Sequence, residues 1–159
     1  MNTVILFATR YGSTENIAKL IWDKLPGEAK MVNIAKQQVP DISTFDAVVI
    51  GGPVYAGKLL KPLAAYMRQN LEELKKKKLA LFLCAGEQEP LQIEKMIASN
   101  FPAELCSRAV FKGALGGELK LENLSRFMKF VLKNLIKVKE GYSRVSEENI
   151  NALVRAVGG

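Results

Sequence analysis

The sequence predicts an α/β fold, doubly wound, in which one parallel sheet of five strands is covered by helices on both faces. Five short apolar segments alternate along the chain with segments whose apolar residues recur at helical spacing. Strands and helices that alternate in this way form parallel sheets with both faces buried. The length of 159 residues suits one domain, and the chain shows no internal repeat. We therefore expect a single domain over residues 1–159.

The first part of the chain predicts two strands and one helix. Residues 4–8 form an apolar, β-branched run that is typical of a buried strand. A polar turn follows, and then an amphipathic helix that Pro26 and Gly27 end. Residues 30–34 predict the second strand. Residues 35–45 are polar and predict a short helix or a loop.

The middle of the chain predicts the third and fourth strands. Residues 46–53 form a buried strand that runs into a glycine turn, and residues 79–84 form the fourth strand. Between them, residues 60–74 have helical periodicity, with Pro62 tolerated in the first turn. The lysine run at residues 75–78 predicts a solvated face before the strand, and binding to an anionic surface is the alternative.

The last part of the chain predicts a helix at residues 90–101, the fifth strand at residues 109–115 and a closing helix at residues 147–157. Ser146 is the expected N-cap of the closing helix, because its hydroxyl can accept from the first free N–H groups. About thirty residues, approximately 116–145, separate the fifth strand from this helix. A loop at this place needs far fewer, so we expect an insert with structure of its own.

The insert predicts a basic amphipathic helix. Residues 123–139 contain no acidic residue, and their apolar side chains share one helical stripe. The opposite face carries the basic residues Arg126, Lys129, Lys133 and Lys137. Such a helix either lies on an anionic membrane or docks its apolar stripe on the domain with its lysines in water.

Composition excludes several kinds of active site. Histidine is absent, which removes Ser-His-Asp and Cys-His catalysis and makes zinc hydrolysis unexpected. Two cysteines, Cys84 and Cys106, form neither a disulfide framework nor a metal site. Redox or acid–base chemistry must then come from a cofactor, carboxylates, lysines or tyrosines.

Charge and hydropathy bear on location and partners. No apolar run approaches the roughly 18 residues that span a bilayer, and the first strand starts too early to leave room for a signal peptide. We therefore expect a cytoplasmic protein. The net charge of +7 favours an acidic partner, such as a membrane surface, nucleic acid or an anionic substrate. Of these, we do not expect nucleic acid.

The turn after the first strand is the most specific signal in the chain. It comprises Thr9, Arg10, Tyr11, Gly12, Ser13 and Thr14. A strand, a polar turn and a helix in this order bind phosphate, since the free N–H groups of the turn and the helix N-terminus face an anion. The patterns of nucleoside triphosphate loops and of dinucleotide folds are both absent. Three hydroxyl groups around one glycine suit a terminal phosphate monoester that is bound without a metal.

This segment resembles the FMN-phosphate signature of the flavodoxin family. The signature is met at Ile5, Leu6, Phe7, Thr9, Gly12, Thr14, Ala18 and Ile21. The resemblance implies non-covalently bound FMN, whose phosphate is held by residues 9–14. It also implies the strand order 2-1-3-4-5, with the ligand beyond the carboxyl ends of strands one and three. An ordinary strand–turn–helix without a ligand is the alternative.

The same resemblance implies two further loops around the flavin ring. The second loop comprises Pro53, Val54, Tyr55, Ala56 and Gly57, and the third comprises Ala85, Gly86 and Glu87. Tyr55 is expected either to stack on the ring or to be an ordinary surface tyrosine. Gly57 either turns its peptide to offer a carbonyl to the N5 proton of reduced flavin or forms a plain turn. The third loop is expected to line the pyrimidine edge with backbone N–H groups.

One branch of the superfamily is more similar than the others. The pattern Thr9-Arg10-x-Gly12-x-Thr14, together with Arg126-Phe127-Met128 in a late basic insert, resembles the menaquinone-dependent protoporphyrinogen oxidases. This resemblance implies oxidation of protoporphyrinogen IX and electron transfer to a membrane quinone, with the protein peripheral at the inner face of the membrane. The main alternative is an electron carrier between protein partners. An NAD(P)H-dependent quinone reductase and a membrane-associated domain without flavin are further alternatives.

Overall fold

Five strands form one parallel sheet, as the sequence predicts. The structure is a computed structural model that describes residues 1–9, 13–87, 89–119 and 142–159. The strands are β1 (Asn2–Phe7), β2 (Glu28–Asn33), β3 (Ala47–Pro53), β4 (Lys78–Cys84) and β5 (Phe111–Ala114). Their order is β2-β1-β3-β4-β5, and every neighbouring pair is parallel. This order is the one that the flavodoxin resemblance implies.

Helices cover the sheet on both faces. They are α1 (Ser13–Lys24), α2 (Lys61–Gln69), α3 (Leu71–Leu74), α4 (Pro90–Asn100), α5 (Ala103–Arg108) and α6 (Glu147–Gly158). Alternate residues of each strand point to opposite faces. Leu6 of β1 therefore packs with Leu63 of α2, on the face that also holds α3, α4 and α5. Phe7 packs with Ile21 of α1 and Leu153 of α6 on the other face.

Two helical segments differ from the prediction. The prediction of one helix over residues 60–74 was wrong. Asn70 leaves the helical conformation at φ −118° and separates α2 from α3. Its side-chain Nδ2 donates to the Tyr66 carbonyl at 3.0 Å. The short helix α5 was not predicted, since six residues are too few to show a helical period. Residues 35–45 contain a single 3-10 turn, Ile42–Thr44.

Two glycines let the three central strands meet at one edge. A Cβ on Gly51 would overlap the carbonyl of Phe82, and a Cβ on Gly52 would lie 2.9 Å from the Ala8 carbonyl oxygen. Phe7 pairs with Gly51, and Pro53 pairs with Cys84. The carboxyl ends of β1, β3 and β4 are therefore level, and the segments that follow them leave the sheet side by side.

The lysine run at residues 75–78 lies at the surface, with Lys76 exposed and the other three partly buried, and its members also make specific contacts. Its first two members lie 3.3 and 3.4 Å from glutamates three residues earlier. Lys77 donates from Nζ to the Phe45 carbonyl at 2.7 Å, and Lys78 donates to the Gly159 carbonyl at 2.8 Å. These bonds connect the start of β4 to the segment before β3 and to the end of α6, so the run has a structural role.

The two ends of the insert form a second, small sheet. Strands β6 (Gly116–Leu119) and β7 (Tyr142–Val145) pair antiparallel, an arrangement that the sequence did not predict. The basic helix predicted at residues 123–139 lies outside the described residues, together with Arg126, Lys129, Lys133 and Lys137. In the part of the chain that the structure describes, no helix is both long and apolar enough to cross a membrane.

Candidate cofactor site

The predicted phosphate turn joins β1 to α1 at the carboxyl edge of the sheet. Thr9 follows β1 and is 4% exposed, and Thr14 lies in the first turn of α1 and is fully buried. Arg10, Tyr11 and Gly12 lie outside the described residues. The structure thus gives both ends of the turn and places a buried hydroxyl at each end.

The Thr14 hydroxyl is the most informative atom of this turn. Its Oγ1 is buried and makes no hydrogen bond with any residue that the structure describes. A buried hydroxyl without a partner costs about 1–3 kcal/mol, so such atoms in native proteins call for an explanation. It lies in the first turn of a helix, where the dipole and the free N–H groups attract an anion. A phosphate oxygen there would give this hydroxyl its partner.

Cys84 lies against the same hydroxyl at the end of β4. Burial raises the pKa of its thiol from the ordinary value of 9.0 to about 12, and the Thr14 hydroxyl beside it lowers the pKa by a smaller amount. The two groups do not have the geometry of a hydrogen bond. Cys84 is therefore protonated at neutral pH, and it acts as the small buried apolar residue that the sequence predicts.

The second loop contains a tight turn with an unusual backbone. The Tyr55 N–H donates to the Lys58 carbonyl at 2.8 Å, and the Lys58 N–H donates to the Tyr55 carbonyl at 3.0 Å. The two central residues, Ala56 and Gly57, have φ values of +50° and +80°. Positive φ at both central positions is typical of a type I′ turn. Gly57 meets this requirement easily, whereas Ala56 is strained in the left-handed region.

Asn100, the last residue of α4, holds this turn from outside. Its Oδ1 accepts from the Leu59 N–H at 3.0 Å, and its Nδ2 donates to the Gly57 carbonyl at 3.0 Å. Nδ2 also donates to the Met96 carbonyl at 2.8 Å. Sequence reasoning missed Asn100, because it lies more than forty residues from the loop and no local pattern marks it.

The remaining predicted residues of the second loop form its base. Pro53 ends β3 and is buried, while Val54 and Tyr55 are half-buried and pack against the core on the α2 side. Tyr55 is therefore only partly exposed, and stacking of its ring on the flavin stays a prediction. Ala56 and Gly57 are exposed, and a Cβ at Gly57 would meet no atom within 4 Å. The tip of the loop is open to a ligand.

A groove of about 520 Å³ joins the first and second loops. Its walls contain Thr9 and Tyr55, and the exposed lysines Lys58 and Lys61 stand at its rim. The remaining lining residues are Ala35, Leu59, Leu60 and Pro62. The lining of the groove is mainly apolar and includes two cationic side chains, which suits an organic anion.

The third loop lines a different cavity, of about 240 Å³. Ala85, Gly86 and Glu87 share it with Ser146 and Asn149 at the start of α6. Glu87 is exposed, and its Oε1 accepts from the backbone N–H two residues later at 2.9 Å. The structure therefore brings Thr9 and Tyr55 into one groove and places the third loop on a separate cavity.

The N-terminus of α6 lines the same cavity as the third loop. Ser146 Oγ accepts from the Asn149 N–H at 3.2 Å, which confirms the predicted N-cap. Asn149 Nδ2 donates to the Ala114 carbonyl at 2.8 Å, and the Ser146 N–H donates to the Leu115 carbonyl at 2.9 Å. The end of β5 is thereby fixed to α6. Neither Ser146 nor Asn149 was predicted to line a cavity at this edge.

Comparison with known proteins agrees with this architecture. The family model described as "Flavodoxin domain" matches residues 4–146. No curated protein sequence matches the chain. Among solved structures, oxidised flavodoxin 1 from Bacillus cereus has a TM-score of 0.58 at 15% identity, over 98% of this chain and 93% of that one. A Streptococcus pneumoniae flavodoxin has a TM-score of 0.56 at 17% identity, over 99% and 95% of the two chains.

A short-chain flavodoxin associated with a bacterial microcompartment is similar over 99% of this chain and 96% of its own, with a TM-score of 0.60 at 13% identity. At these identities the likeness establishes the fold. The family match indicates FMN as the cofactor. The described residues fit this cofactor, because the buried Thr14 hydroxyl lacks a partner where its phosphate would lie and the tip of the second loop is open.

Proposed function

Because the chain belongs to the flavodoxin domain family, we propose that it is an FMN-dependent oxidoreductase that oxidises protoporphyrinogen IX and passes the electrons to a membrane quinone. Family membership alone supports the coarser function of an FMN-binding electron-transfer flavoprotein. The substrate and the acceptor are the proposed part.

The described residues have distinct tasks around the cofactor. We assign the phosphate to Thr9, Thr14 and the N-terminus of α1, where buried hydroxyls and the helix dipole favour an anion. We assign the ring to the space beyond the ends of β3 and β4, between the second and third loops. FMN, when bound, supplies one- and two-electron transfer. The protein supplies position, exclusion of water and the surroundings of the ring.

The single observation that supports an anionic substrate is the groove between the first and second loops. Its volume of about 520 Å³ lies within the range typical of small-molecule sites. Lys58 and Lys61 at its rim are cations that can pair with the propionates of a porphyrinogen, and Leu59, Leu60 and Pro62 form apolar walls. Because Thr9 and Tyr55 belong both to this groove and to the proposed cofactor loops, a ligand here would lie next to the flavin.

Charge supports the choice of a membrane acceptor. The chain carries a net charge of +7, and an anionic bilayer surface attracts such a protein. The residues proposed for this contact, Arg126, Lys129, Lys133 and Lys137, belong to the undescribed part of the insert. Peripheral membrane association therefore rests on the sequence.

A second candidate function is electron transfer between protein partners without turnover of a small molecule. It is favoured by the exposure of Ala56, Gly57 and Lys58, which leaves the tip of the second loop accessible to the surface of another protein. An acidic partner would complement Lys58 and Lys61.

An anaerobic assay separates the two functions. FMN-loaded protein is mixed with protoporphyrinogen IX and a menaquinone analogue, and porphyrin fluorescence is followed. The oxidase proposal expects quinone-dependent product well above the control without protein. A fully loaded, reducible protein that produces no porphyrin would contradict it and leave the carrier.

Charge reversal at the groove tests the substrate site. Lys58→Glu with Lys61→Glu is expected to raise the KM for protoporphyrinogen IX about tenfold, because two attractive contacts become repulsive. Lys19→Glu is the control, since it makes the same kind of substitution once, at an exposed position of α1, a helix that packs on the other face of the sheet. An equal KM for all variants would place the substrate elsewhere.

A further inference from the structure

The hydrogen bonds of Asn100 are of two kinds. The bond from Nδ2 to the Met96 carbonyl is local and belongs to the end of α4. The bonds to the Gly57 carbonyl and the Leu59 N–H cross from α4 to the second loop. Two carbonyls on the nitrogen side and one N–H on the oxygen side fix the orientation of the amide. The asparagine amide carries its donors and its acceptor on two separate atoms, so it can make all three bonds at once.

The turn that Asn100 holds contains the one non-glycine residue with positive φ in the described part of the chain, Ala56. The left-handed region is unfavourable for alanine, and such strain persists only where the surroundings fix it. The backbone bonds between Tyr55 and Lys58 act within the turn. Asn100 acts from outside, on the residue that follows Ala56 and on Leu59.

The open space beside Gly57 shows that packing does not fix the tip of the loop. A Cβ there would meet nothing within 4 Å, and Ala56, Gly57 and Lys58 are all exposed. Hydrogen bonds therefore determine the conformation of the tip. With the bonds of Asn100 removed, the strain at Ala56 favours other conformations of the loop.

We propose that Asn100 is a positioning residue of the flavin site, which keeps the strained turn at Ala56 and Gly57 in the conformation that receives the ring. This inference rests on the proposed placement of the flavin ring against the second loop. By holding the loop in its bound form before the cofactor arrives, Asn100 removes part of the ordering entropy from the binding step. The effects of substitutions at Ala56 and Asn100 are then coupled, because the hydrogen bonds of Asn100 offset the backbone strain at Ala56.

The test is a double-mutant cycle read by cofactor affinity. Apoprotein is titrated with FMN and, separately, with riboflavin, which has the ring but no phosphate. Asn100→Ala is expected to raise the Kd for both ligands about tenfold, the scale of one or two lost intramolecular hydrogen bonds. Equal losses for the two ligands are expected because Asn100 acts on the ring loop. Asn100→Asp, which keeps an acceptor for Leu59 but loses the donor to Gly57, is expected to weaken both as well.

Ala56→Gly provides the rescue. Glycine adopts positive φ without strain, so the turn no longer depends on Asn100. The double variant Ala56→Gly with Asn100→Ala is therefore expected to regain most of the lost affinity, a result that simple damage to α4 would not give.

Asn70→Ala is the matched control. Asn70 makes the same kind of local bond at the end of α2, to the Tyr66 carbonyl at 3.0 Å, and has no bond to the second loop among those described. It is expected to leave both affinities within twofold of the parent. Full FMN binding by the Asn100 variants, or a double variant as weak as Asn100→Ala, would overturn the inference while leaving the proposed function intact. A parent protein that binds no FMN would overturn both.

Discussion

The two loops that follow β1 and β3 meet the cofactor site in opposite ways. At the start of α1, Thr14 is fully buried, and its hydroxyl has no hydrogen-bond partner among the described residues. At the tip of the second loop, Ala56 and Gly57 are exposed, yet the flanking backbone groups are bonded within the turn and to Asn100. We propose that the Thr14 hydroxyl binds the phosphate of the cofactor. The hydrogen bonds of the second loop, in contrast, hold the conformation of the loop itself.

We therefore expect substitutions in the two regions to act on different properties, the affinity for the phosphate in the first and the conformation of the loop in the second. A substitution at Thr14 should weaken binding of the phosphate, because it would remove the proposed hydrogen bond to a phosphate oxygen. A substitution at the turn should act through the population of one loop conformation. The core of the sheet differs from both, since close packing fixes its backbone.

The largest effect is expected for Gly51→Ala in the centre of the sheet. The new Cβ would overlap the carbonyl and the ring of Phe82, and β3 is paired with a strand on each side. We expect the free energy of unfolding to fall by about 3 kcal/mol or more, at the upper end of overpacked substitutions. Urea denaturation of the apoprotein measures it. A loss below about 1 kcal/mol would mean that β3 and β4 are less closely packed than described.

A second effect appears only at alkaline pH. The folded Cys84 thiol keeps its proton up to a pKa of about 12, whereas an unfolded thiol releases it near 9.0. The unfolded state therefore binds fewer protons between these values, and stability is expected to fall as pH rises from 9 to 12. Cys84→Ala should make this fall shallower in denaturation curves. Cys106→Ala, at a thiol that is only half-buried, should change the pH dependence of stability less. Equal effects of the two substitutions would contradict the assignment of this pH dependence to Cys84.

Gly57→Ala should have a smaller effect than Gly51→Ala. No atom blocks the new Cβ, so the cost is only that of placing alanine at a φ of +80°, about 1–2 kcal/mol. Apoprotein denaturation measures this cost. A loss as large as that of Gly51→Ala would show that packing fixes the tip of the loop as well.

The smallest effect is expected for Ala56→Gly. Relief of the strain at φ +50° is partly offset by the greater freedom of glycine in the unfolded chain. A net gain of about 0.5 kcal/mol in the free energy of unfolding is expected, from the same denaturation measurement. A loss of stability would show that Ala56 is unstrained and would weaken its proposed coupling to Asn100.

The sequence predicts the parts of the molecule that depend on local patterns. The apolar run of β1 and the N-cap Ser146 were predicted because neighbours in sequence determine them. The break at Asn70 was missed because the apolar period continues through it. The pairing of β6 with β7 joins residues more than twenty positions apart, with nothing local to show the register.

The candidate cofactor site also contains residues that a local pattern predicts and residues that only long-range contacts reveal. Thr9 and Thr14 belong to one short motif, and their role in binding the phosphate stays a prediction. Asn100 bonds to the second loop from α4, and Asn149 bonds to the end of β5 from α6. Asparagine is common at helix ends for local reasons. Only the folded chain shows these long-range bonds. The contacts of the lysine run were not predicted for a related reason, since the partners of Lys77 and Lys78 are carbonyls elsewhere in the chain.

One pair of variants tests the proposal that the Thr14 hydroxyl binds the phosphate. Thr3 is the matched residue, because its hydroxyl is also buried without a partner among the described residues but lies near the start of β1, at the opposite edge of the sheet. Replacement of either threonine by valine keeps its shape and removes the unsatisfied group. Both variants should stabilise the apoprotein by about 1 kcal/mol.

FMN titration of these two apoproteins is the most direct measurement. Thr14→Val should raise the Kd about 10- to 100-fold, the scale of a hydrogen bond to a charged phosphate. Thr3→Val should bind FMN as the parent does. Parental affinity in Thr14→Val, or equal losses in both variants, would show that the buried hydroxyl at the start of α1 is not held for the cofactor.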